Sequence, residues 1–156
     1  MTTYTLSSDH ARIEAGALLL RLGLGTMFIA HALLKYFVFT LPGTAQFFGS
    51  LGLPPALGYV TFAAELAGGV LLVLGVYTRY VALALVPILL GATWAHVGNG
   101  WQFSAPNGGW EYPAFLTLAA IVQFMVGDGA FALQRSRRPA TAHPVPSTLT
   151  ADGLVK

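Results

Sequence analysis

Four long apolar segments, separated by polar or glycine-rich stretches, dominate the hydrophobic pattern of this chain. Each is close to the roughly 20 residues that a helix needs to cross a bilayer core. The pattern therefore predicts four membrane-spanning helices, at about residues 13–37, 57–76, 80–97 and 112–133. We expect an all-α integral membrane four-helix bundle. A cytoplasmic N-terminal segment, residues 1–12, should precede it, and a disordered cytoplasmic tail, residues 134–156, should follow it. The tail is rich in Pro, Thr, Ser and Ala and has too few large apolar side chains to form a packed core.

Composition supports a membrane location and excludes several other classes of protein. Hydrophobic residues make up 55% of the 156 residues and charged residues only 9%, whereas about 25% are charged in ordinary soluble domains. So few charges cannot cover a soluble globule, and so high a hydrophobicity is incompatible with disorder. The absence of cysteine excludes disulfides, thiol catalysis and zinc–thiolate or cysteine-ligated iron–sulfur sites. The net charge of +2 gives no reason to expect a nucleic acid partner.

The basic residues predict the orientation of the chain. Arg12, Arg79 and Arg135 flank predicted helix ends that share one side, whereas the connecting loops 38–56 and 98–111 contain no Lys or Arg. Positive charges in short flanks favour the cytoplasmic side of a membrane. Both termini are therefore expected in the cytoplasm, and both longer loops are expected outside.

Both predicted outer loops are rich in aromatic residues, among them Phe47, Trp101, Phe103 and Trp110. Single residues of this kind typically lie in the membrane interface. As a group they could instead roof a pocket or dock a partner.

Ionisable residues inside the predicted spans concentrate in the outer half of the membrane. Each costs roughly 2.5–3.5 kcal/mol on insertion scales, so it should face the bundle interior and have a partner. At a rise of about 1.5 Å per residue, His31 lies roughly 9 Å and Glu65 roughly 12 Å from the outer ends of their helices. Lys35 shares a helix face with His31. His96 and Glu111, at the outer ends of the third and fourth spans, complete one predicted polar cluster.

Arg21 and Asp128 lie in the inner half instead, roughly 12 Å and 8 Å from the inner side. We expect them to neutralise each other as a buried pair that fixes the helix register.

Three chemistries fit the outer cluster. A quinone head group needs hydrogen-bonding partners, a proton relay and an aromatic slot, which the two histidines, Glu65, Trp94 and Trp101 would supply. A haem between the two histidines, or a metal held by them and Glu65, has no tight sequence motif in its favour, so neither haem nor metal is expected. The structural alternative is a salt-bridge network that satisfies itself, above all between Lys35 and Glu65.

Several blocks of the sequence carry a family resemblance: RLGLGTMFIAHALLKYF at 21–37, AELAGGVLLVLGVYTR at 64–79, AHVGNGWQFSAPNGGWEYP at 95–113 and GDGAFAL at 127–133. They resemble the DoxX family of small bacterial membrane proteins, which includes the DoxD subunit of thiosulfate:quinone oxidoreductase. The resemblance covers about residues 13–133 and implies a four-helix transmembrane domain in the bacterial inner (plasma) membrane. It also implies association with redox proteins and, in some members, electron transfer to the quinone pool. The implied functional positions are Glu65, His96 and Glu111, with His31 and Lys35 adjoining.

The leading interpretation is a quinone-interacting membrane subunit of a redox complex, which passes electrons from a partner to the quinone pool. Glu65, His31 and His96 are the predicted catalytic residues, and the predicted quinone-binding residues are Trp94, Trp101, Lys35, Glu111 and Tyr112. The expected partners are the lipid bilayer and other membrane or periplasmic redox subunits. The alternative is a non-catalytic anchor or accessory subunit that packs against a larger assembly. A transporter ranks lowest, since the spans show neither broken helices nor an inverted repeat.

Overall fold

A computed structural model describes residues 3–136, with side chains from Ser8 onward. Five α-helices follow one another: α1 Thr3–Phe37, α2 Leu41–Ser50, α3 Ala56–Leu74, α4 Thr78–His96 and α5 Glu111–Val126, with a 3-10 turn at Val97–Asn99. Apart from one isolated bridge between Val76 and Gln134, this part of the chain forms no β-structure. The all-α prediction is confirmed there, and the predicted tail from residue 137 onward lies outside the described residues.

Three helical segments are long and apolar enough to cross a membrane: Ser8–Phe37, Ala56–Leu74 and Thr78–Asn99. The fourth predicted span is shorter than expected. The 16 residues of α5 measure about 24 Å, against a hydrocarbon core of about 30 Å. The helix stops at Val126 because the chain turns at Gly127 and runs on as irregular backbone.

One helix, α2, lies where the sequence predicts only an outer loop. Its first turn is capped by Thr40, whose Oγ1 accepts a hydrogen bond from the backbone N–H of Gly43 at 3.2 Å. Pro42 lies in this first turn, where a helix needs no backbone N–H. The buried Thr44 and Ala45 of α2 contact α3. The Thr-Leu-Pro-Gly sequence was therefore a helix-start signal inside an apparently irregular segment.

The helices enclose one apolar core. Helix α1 packs chiefly on α3, and α4 packs chiefly on α5, while α1 also contacts α5 and α3 also contacts α4. A Cβ added to Gly69 of α3 would lie 2.9 Å from the carbonyl oxygen of Gly25 in α1, so small residues permit this close approach. The core consists of Leu24, Phe28, Leu72, Ala82, Leu85, Leu89, Ala119 and Ala120. On α1, these core residues lie between Arg21 and His31, so the apolar core separates two polar centres.

The chain after α5, residues 127–136, is termed the return segment because it folds back on the α3–α4 connection. Gln134 N donates to Gly75 O at 3.0 Å, and Tyr77 N donates to Gln134 O at 2.9 Å. Ser136, which the sequence assigns to the tail, is buried against Asp128. The return segment thus joins the end of α5 to the end of α3.

The expected pair of Arg21 and Asp128 is present as a charge interaction, but the two side chains make no direct salt bridge. Arg21 donates from Nη1 to the main-chain oxygen of Asp128 and from Nη2 to that of Ala130, both at 3.2 Å. The Asp128 carboxylate accepts from the N–H of Ser136 at 2.8 Å and from its hydroxyl at 2.7 Å. Backbone acceptors took the place of the expected carboxylate because the return segment brings its carbonyl groups to the buried guanidinium.

Candidate functional site

A buried ion pair joins α1 to α3. Lys35 Nζ donates to Glu65 Oε1 at 2.9 Å and to Oε2 at 2.7 Å. The two side chains are only 17% and 8% exposed. A buried charge requires such a partner, since an isolated one is strongly destabilising. The Lys35–Glu65 salt bridge, which the sequence offered as the structural alternative, is therefore present, with both carboxylate oxygens engaged.

His31 extends this pair toward α5. Its Nδ1 lies 2.7 Å from the main-chain oxygen of Met27, a contact that requires a proton on Nδ1 and leaves Nε2 as the acceptor of the neutral ring. The imidazole stacks on Tyr112 of α5, with ring centroids 5.7 Å apart and planes 23° from parallel. His31 also interacts electrostatically with Glu65. We call His31, Lys35, Glu65 and Tyr112 the polar cluster.

An aromatic groove of about 540 Å³ adjoins the polar cluster at Tyr112. Trp101 and Trp110 meet edge to face in its wall, with centroids 4.5 Å apart. Phe103 and Phe115 are exposed at its rim. The lining consists of Trp101, Phe103, Trp110, Glu111, Tyr112, Ala114, Phe115 and Leu118. Tyr112 is therefore shared between the groove and the polar cluster, and its buried hydroxyl has no hydrogen-bond partner in the described part of the chain.

His96 and Glu111 hold the loop 97–110 in place. His96 Nδ1 lies 3.0 Å from the main-chain oxygen of Gly108, which also accepts from Asn99 Nδ2 at 2.9 Å. Glu111 Oε1 accepts from the backbone N–H of Phe103 at 2.9 Å. These contacts fix the loop over the start of α5, where it forms one wall of the groove.

The predicted site residues thus fall into separate groups. The polar cluster takes His31, Lys35, Glu65 and Tyr112, whereas His96 and Glu111 bind the loop and Glu111 also lines the groove. Trp101 lines the groove as well, but Trp94 is 57% exposed on α4 and is not among the lining residues.

Sequence reasoning missed Phe115 and Leu118, which carry the groove along α5. The signal was their spacing from Glu111, since residues four and seven positions apart share a helix face.

The two histidines that a haem or metal site would need lie in different surroundings. The Nδ1 contacts of His31 and His96 are to Met27 on α1 and to Gly108 in the loop, respectively. Over residues 3–136, no group of three or more His, Asp or Glu side chains is placed to hold a metal ion.

A family model named DoxX matches residues 16–98, more than half of the chain. This chain belongs to the DoxX family. The matched region contains most of α1 and all of α2, α3 and α4, so this DoxX protein carries His31, Lys35 and Glu65 inside the family region. Tyr112 and the α5 side of the groove lie beyond it.

One relative of this DoxX protein is named "Putative oxidoreductase CatD", from Bacillus subtilis (strain 168). It is 47% identical over 79 residues, which are 51% of this chain and 58% of the relative. The chain thus matches less than two thirds of that relative's length. No solved structure matches the chain significantly.

Proposed function

We propose that this DoxX protein is the quinone-interacting membrane subunit of a redox complex and passes electrons from a partner to the quinone pool. The observation that carries the proposal is the position of Tyr112, which stacks on His31 and also lines the aromatic groove. An aromatic head group in the groove would lie beside side chains able to exchange protons. The name of the Bacillus relative, which describes an oxidoreductase, supports a redox role.

The chemistry requires both electrons and protons, because a quinone takes up two of each to become a quinol. In this proposal the electrons come from the redox centre of a partner protein docked on the outer loops. His31 lies behind Tyr112 and outside the groove lining. In this proposal its Nε2 exchanges the protons, since the Nδ1 proton is held by Met27 O. The Glu65 carboxylate stabilises the protonated ring, and Lys35 holds that carboxylate in position.

The test compares variants in the complex purified from native membranes with mild detergent. Bound quinone is extracted and identified, and partner-dependent reduction of added decylubiquinone is measured per assembled complex. We expect His31→Asn, which preserves a donor toward Met27 O, and Glu65→Gln each to lower this turnover about 100-fold, the usual scale of a lost acid–base group. Arg12→Gln, at an exposed position on α1, is the matched control and should retain full turnover. Full turnover in both cluster variants would remove the polar cluster from the mechanism.

A non-catalytic anchor or accessory subunit is the second candidate function, and the closed Lys35–Glu65 pair favours it. Both carboxylate oxygens of Glu65 are already engaged by Lys35, as expected of a pair that only joins α1 to α3. In this case Glu65→Gln lowers the yield of the complex, whereas turnover per assembled complex is unchanged. Recovery inside a large assembly, without quinone of its own, would also favour the anchor.

We also propose a four-helix bundle with four crossings and both termini in the cytoplasm of a bacterium. Helix α5 begins beside the end of α4, where Glu111 binds the intervening loop. Its end is tied through the return segment to Gly75 and Tyr77, just before α4 begins. Although short, α5 therefore runs beside α4 from one end to the other, and α4 is long enough to cross the membrane.

The chain contains no cysteine, so single introduced cysteines can report the topology. We expect a membrane-impermeant maleimide to label Gln102→Cys in intact cells, and to label Asp9→Cys and Gln134→Cys only after permeabilisation. Labelling of Asp9→Cys and Gln134→Cys from opposite sides would instead indicate three crossings.

A further inference from the structure

One side of α4 is exposed along most of the helix and ends in a cation. Leu83, Leu90 and Trp94 are 46%, 54% and 57% exposed, and spacings of seven and four residues place them on one side of a helix. Because α4 is apolar and long enough to cross a membrane, this side faces the acyl chains of the lipids. Arg79 lies one turn before Leu83 on the same side. We call Arg79, Leu83, Leu90 and Trp94 the α4 stripe.

The Arg79 side chain is held in place across the contact between α4 and α5. Its Nε donates to Phe124 O at 2.9 Å. This carbonyl group has no helical partner, because α5 ends two residues later at Val126. The guanidinium carbon lies 5.3 Å from the centroid of the Phe124 ring, within the range of a cation–π interaction. The protein thus uses one nitrogen and one face of the guanidinium and fixes its orientation.

The opposite edge of the guanidinium is available to a ligand. Nη1 and Nη2 of Arg79 are accessible and have no hydrogen-bond partner among residues 8–136. In the same part of the chain, Arg12, Lys35 and Arg135 each bind a carboxylate, and the buried Arg21 binds two main-chain oxygens. Arg79 is therefore the one described cation that is accessible and has no carboxylate partner.

The depth of Arg79 matches a lipid head group. From Arg79 to Leu90 the helix advances about 16 Å, which is about half of a hydrocarbon core of roughly 30 Å. A guanidinium at the end of the helix then lies at the level of the head groups of one leaflet, and Leu83 and Leu90 lie along the acyl chains of that leaflet. The exposed Tyr80 follows Arg79 directly, as is typical of the membrane interface.

The open edge suits a phosphodiester with no compensating positive charge. Its two nitrogens can bind two phosphate oxygens at once, the geometry that arginine prefers with oxyanions. A zwitterionic phospholipid also carries a phosphate, but its ammonium group would find no carboxylate on Arg79 to pair with. A soluble phosphate would have the same charge and would gain nothing from the apolar part of the α4 stripe.

We propose that the α4 stripe binds an anionic phospholipid. The phosphate accepts hydrogen bonds from Nη1 and Nη2 of Arg79, and an acyl chain lies along Leu83 and Leu90. The lipid becomes part of the contact between α4 and α5, because it holds the side chain that binds Phe124 O. The site lies at the other end of the helices from the polar cluster and the aromatic groove, so it does not depend on the proposed function.

Native mass spectrometry of the full chain, released from a neutral detergent, tests the proposal. The protein is titrated with dioctanoyl phosphatidylglycerol and with dioctanoyl phosphatidylcholine, which have equal acyl chains. We expect the first phosphatidylglycerol to bind about fivefold more tightly, the usual gain for one cation beside an anionic lipid. Glycerophosphoglycerol, the same head group without acyl chains, should not compete at similar concentrations.

Variants of Arg79 test the head-group contact. Arg79→Gln should lower the affinity for phosphatidylglycerol about fivefold, to that for phosphatidylcholine. Arg79→Lys keeps the charge but cannot bind Phe124 O and two phosphate oxygens in the same geometry, so it should retain a smaller preference. Arg12→Gln removes a cation at an exposed position on α1 and is the matched control, with an unaltered preference. Thermal unfolding without lipid confirms that each variant is folded.

A second pair of variants tests the acyl-chain contact. Leu83→Ala should weaken both lipids by a similar factor, about threefold, because it removes apolar surface from the stripe. Val60→Ala truncates an exposed apolar side chain on α3 and should bind both lipids like the unaltered protein.

Several outcomes would overturn the inference. Equal affinity of the unaltered protein for the two lipids would exclude an anionic-lipid site, whether or not any variant folds. An unaltered preference in Arg79→Gln would leave Arg79 as a link between α4 and α5 alone. Competition by glycerophosphoglycerol as strong as by phosphatidylglycerol would assign the guanidinium edge to a soluble phosphate. Equal lipid affinities in Leu83→Ala and Val60→Ala would place the acyl chain outside the α4 stripe.

Discussion

Arg21 binds the main-chain carbonyl oxygen of Asp128 and not its carboxylate. The distance from Nη1 to that oxygen is 3.2 Å, and Nη2 makes an equal contact with Ala130 O. The Asp128 carboxylate is engaged instead by the N–H and hydroxyl of Ser136. The buried guanidinium thus attaches the return segment to α1 through two backbone groups, and the Asp128 side chain stabilises the same segment from within.

The first prediction separates these two roles. Arg21→Met should lower the free energy of unfolding by about 3 kcal/mol, because it leaves two buried carbonyl groups without their charged donor. Asp128→Asn should cost only about 1 kcal/mol, since its main-chain oxygen still binds Arg21 and its amide oxygen can still accept from Ser136. Denaturation of the purified protein in detergent measures both changes, with the exposed Arg12→Met as a near-neutral control. Equal losses in the Arg21 and Asp128 variants would restore the ion-pair interpretation.

The second prediction concerns Gly75, the residue between α3 and its connection to α4. Its φ of +72° disfavours any side chain, and an added Cβ would overlap the Arg21 guanidinium and lie 2.7 Å from Ala132 Cα. Gly75→Ala should therefore destabilise the protein by about 2 kcal/mol or more. The matched control is Gly23→Ala, which has open space at its Cβ and should stabilise α1 by about 0.5–1 kcal/mol. Similar unfolding free energies for the two variants would show that the connection tolerates a side chain.

The sequence offered the pairing of Lys35 with Glu65 as the structural alternative to a quinone site, but it did not predict the contacts of Arg21. Helical rise places Lys35 about 3 Å and Glu65 about 12 Å from the outer ends of their helices, a difference that a long lysine side chain can span. A buried carboxylate in this half of the membrane needs such a cation. The depth of a residue along its helix does not show that the chain reverses after α5. The backbone carbonyl groups of the return segment therefore could not be predicted as partners of Arg21. Arg21 was accordingly assigned the carboxylate that lay closest in depth.

The aromatic groove, too, could be predicted only in part from the sequence. Trp101 is a predicted quinone-binding residue because it lies in an outer loop whose many aromatic residues could roof a pocket. The walls formed by Phe115 and Leu118 depend on which face of α5 lies under the loop, and that depends on the contact between Glu111 and Phe103 N. Hydrophobicity in an all-apolar helix does not define such a face, because almost every position is apolar.

The third prediction measures the coupling between Lys35 and Glu65. Lys35→Met and Glu65→Gln should each destabilise the protein by about 3 kcal/mol, because each leaves a buried polar partner unsatisfied. The double variant should lose clearly less than the sum, with a coupling of about 1–3 kcal/mol. A double-mutant cycle of unfolding free energies in detergent gives this value. Additive losses would mean that the 2.7 Å contact does not persist in the membrane protein.

The fourth prediction concerns Glu111 and the loop over the groove. Glu111→Ala removes the acceptor of Phe103 N–H, so amide hydrogen exchange across residues 97–110 should accelerate about tenfold, the equivalent of one hydrogen bond. Glu111→Gln retains a side-chain oxygen at this position and should change exchange much less. Gln102→Ala, an exposed loop position, serves as the control.

The comparison of the two Glu111 variants decides between hydrogen bonding and charge at this position. If Glu111→Gln loosens the loop as much as Glu111→Ala, the negative charge rather than the acceptor geometry holds the loop. Because Trp101 and Trp110 belong to this loop and line the groove, faster exchange should be accompanied by stronger quenching of their fluorescence by acrylamide. Loop exchange that accelerates without any change in quenching would show that the groove forms without the Glu111 contact.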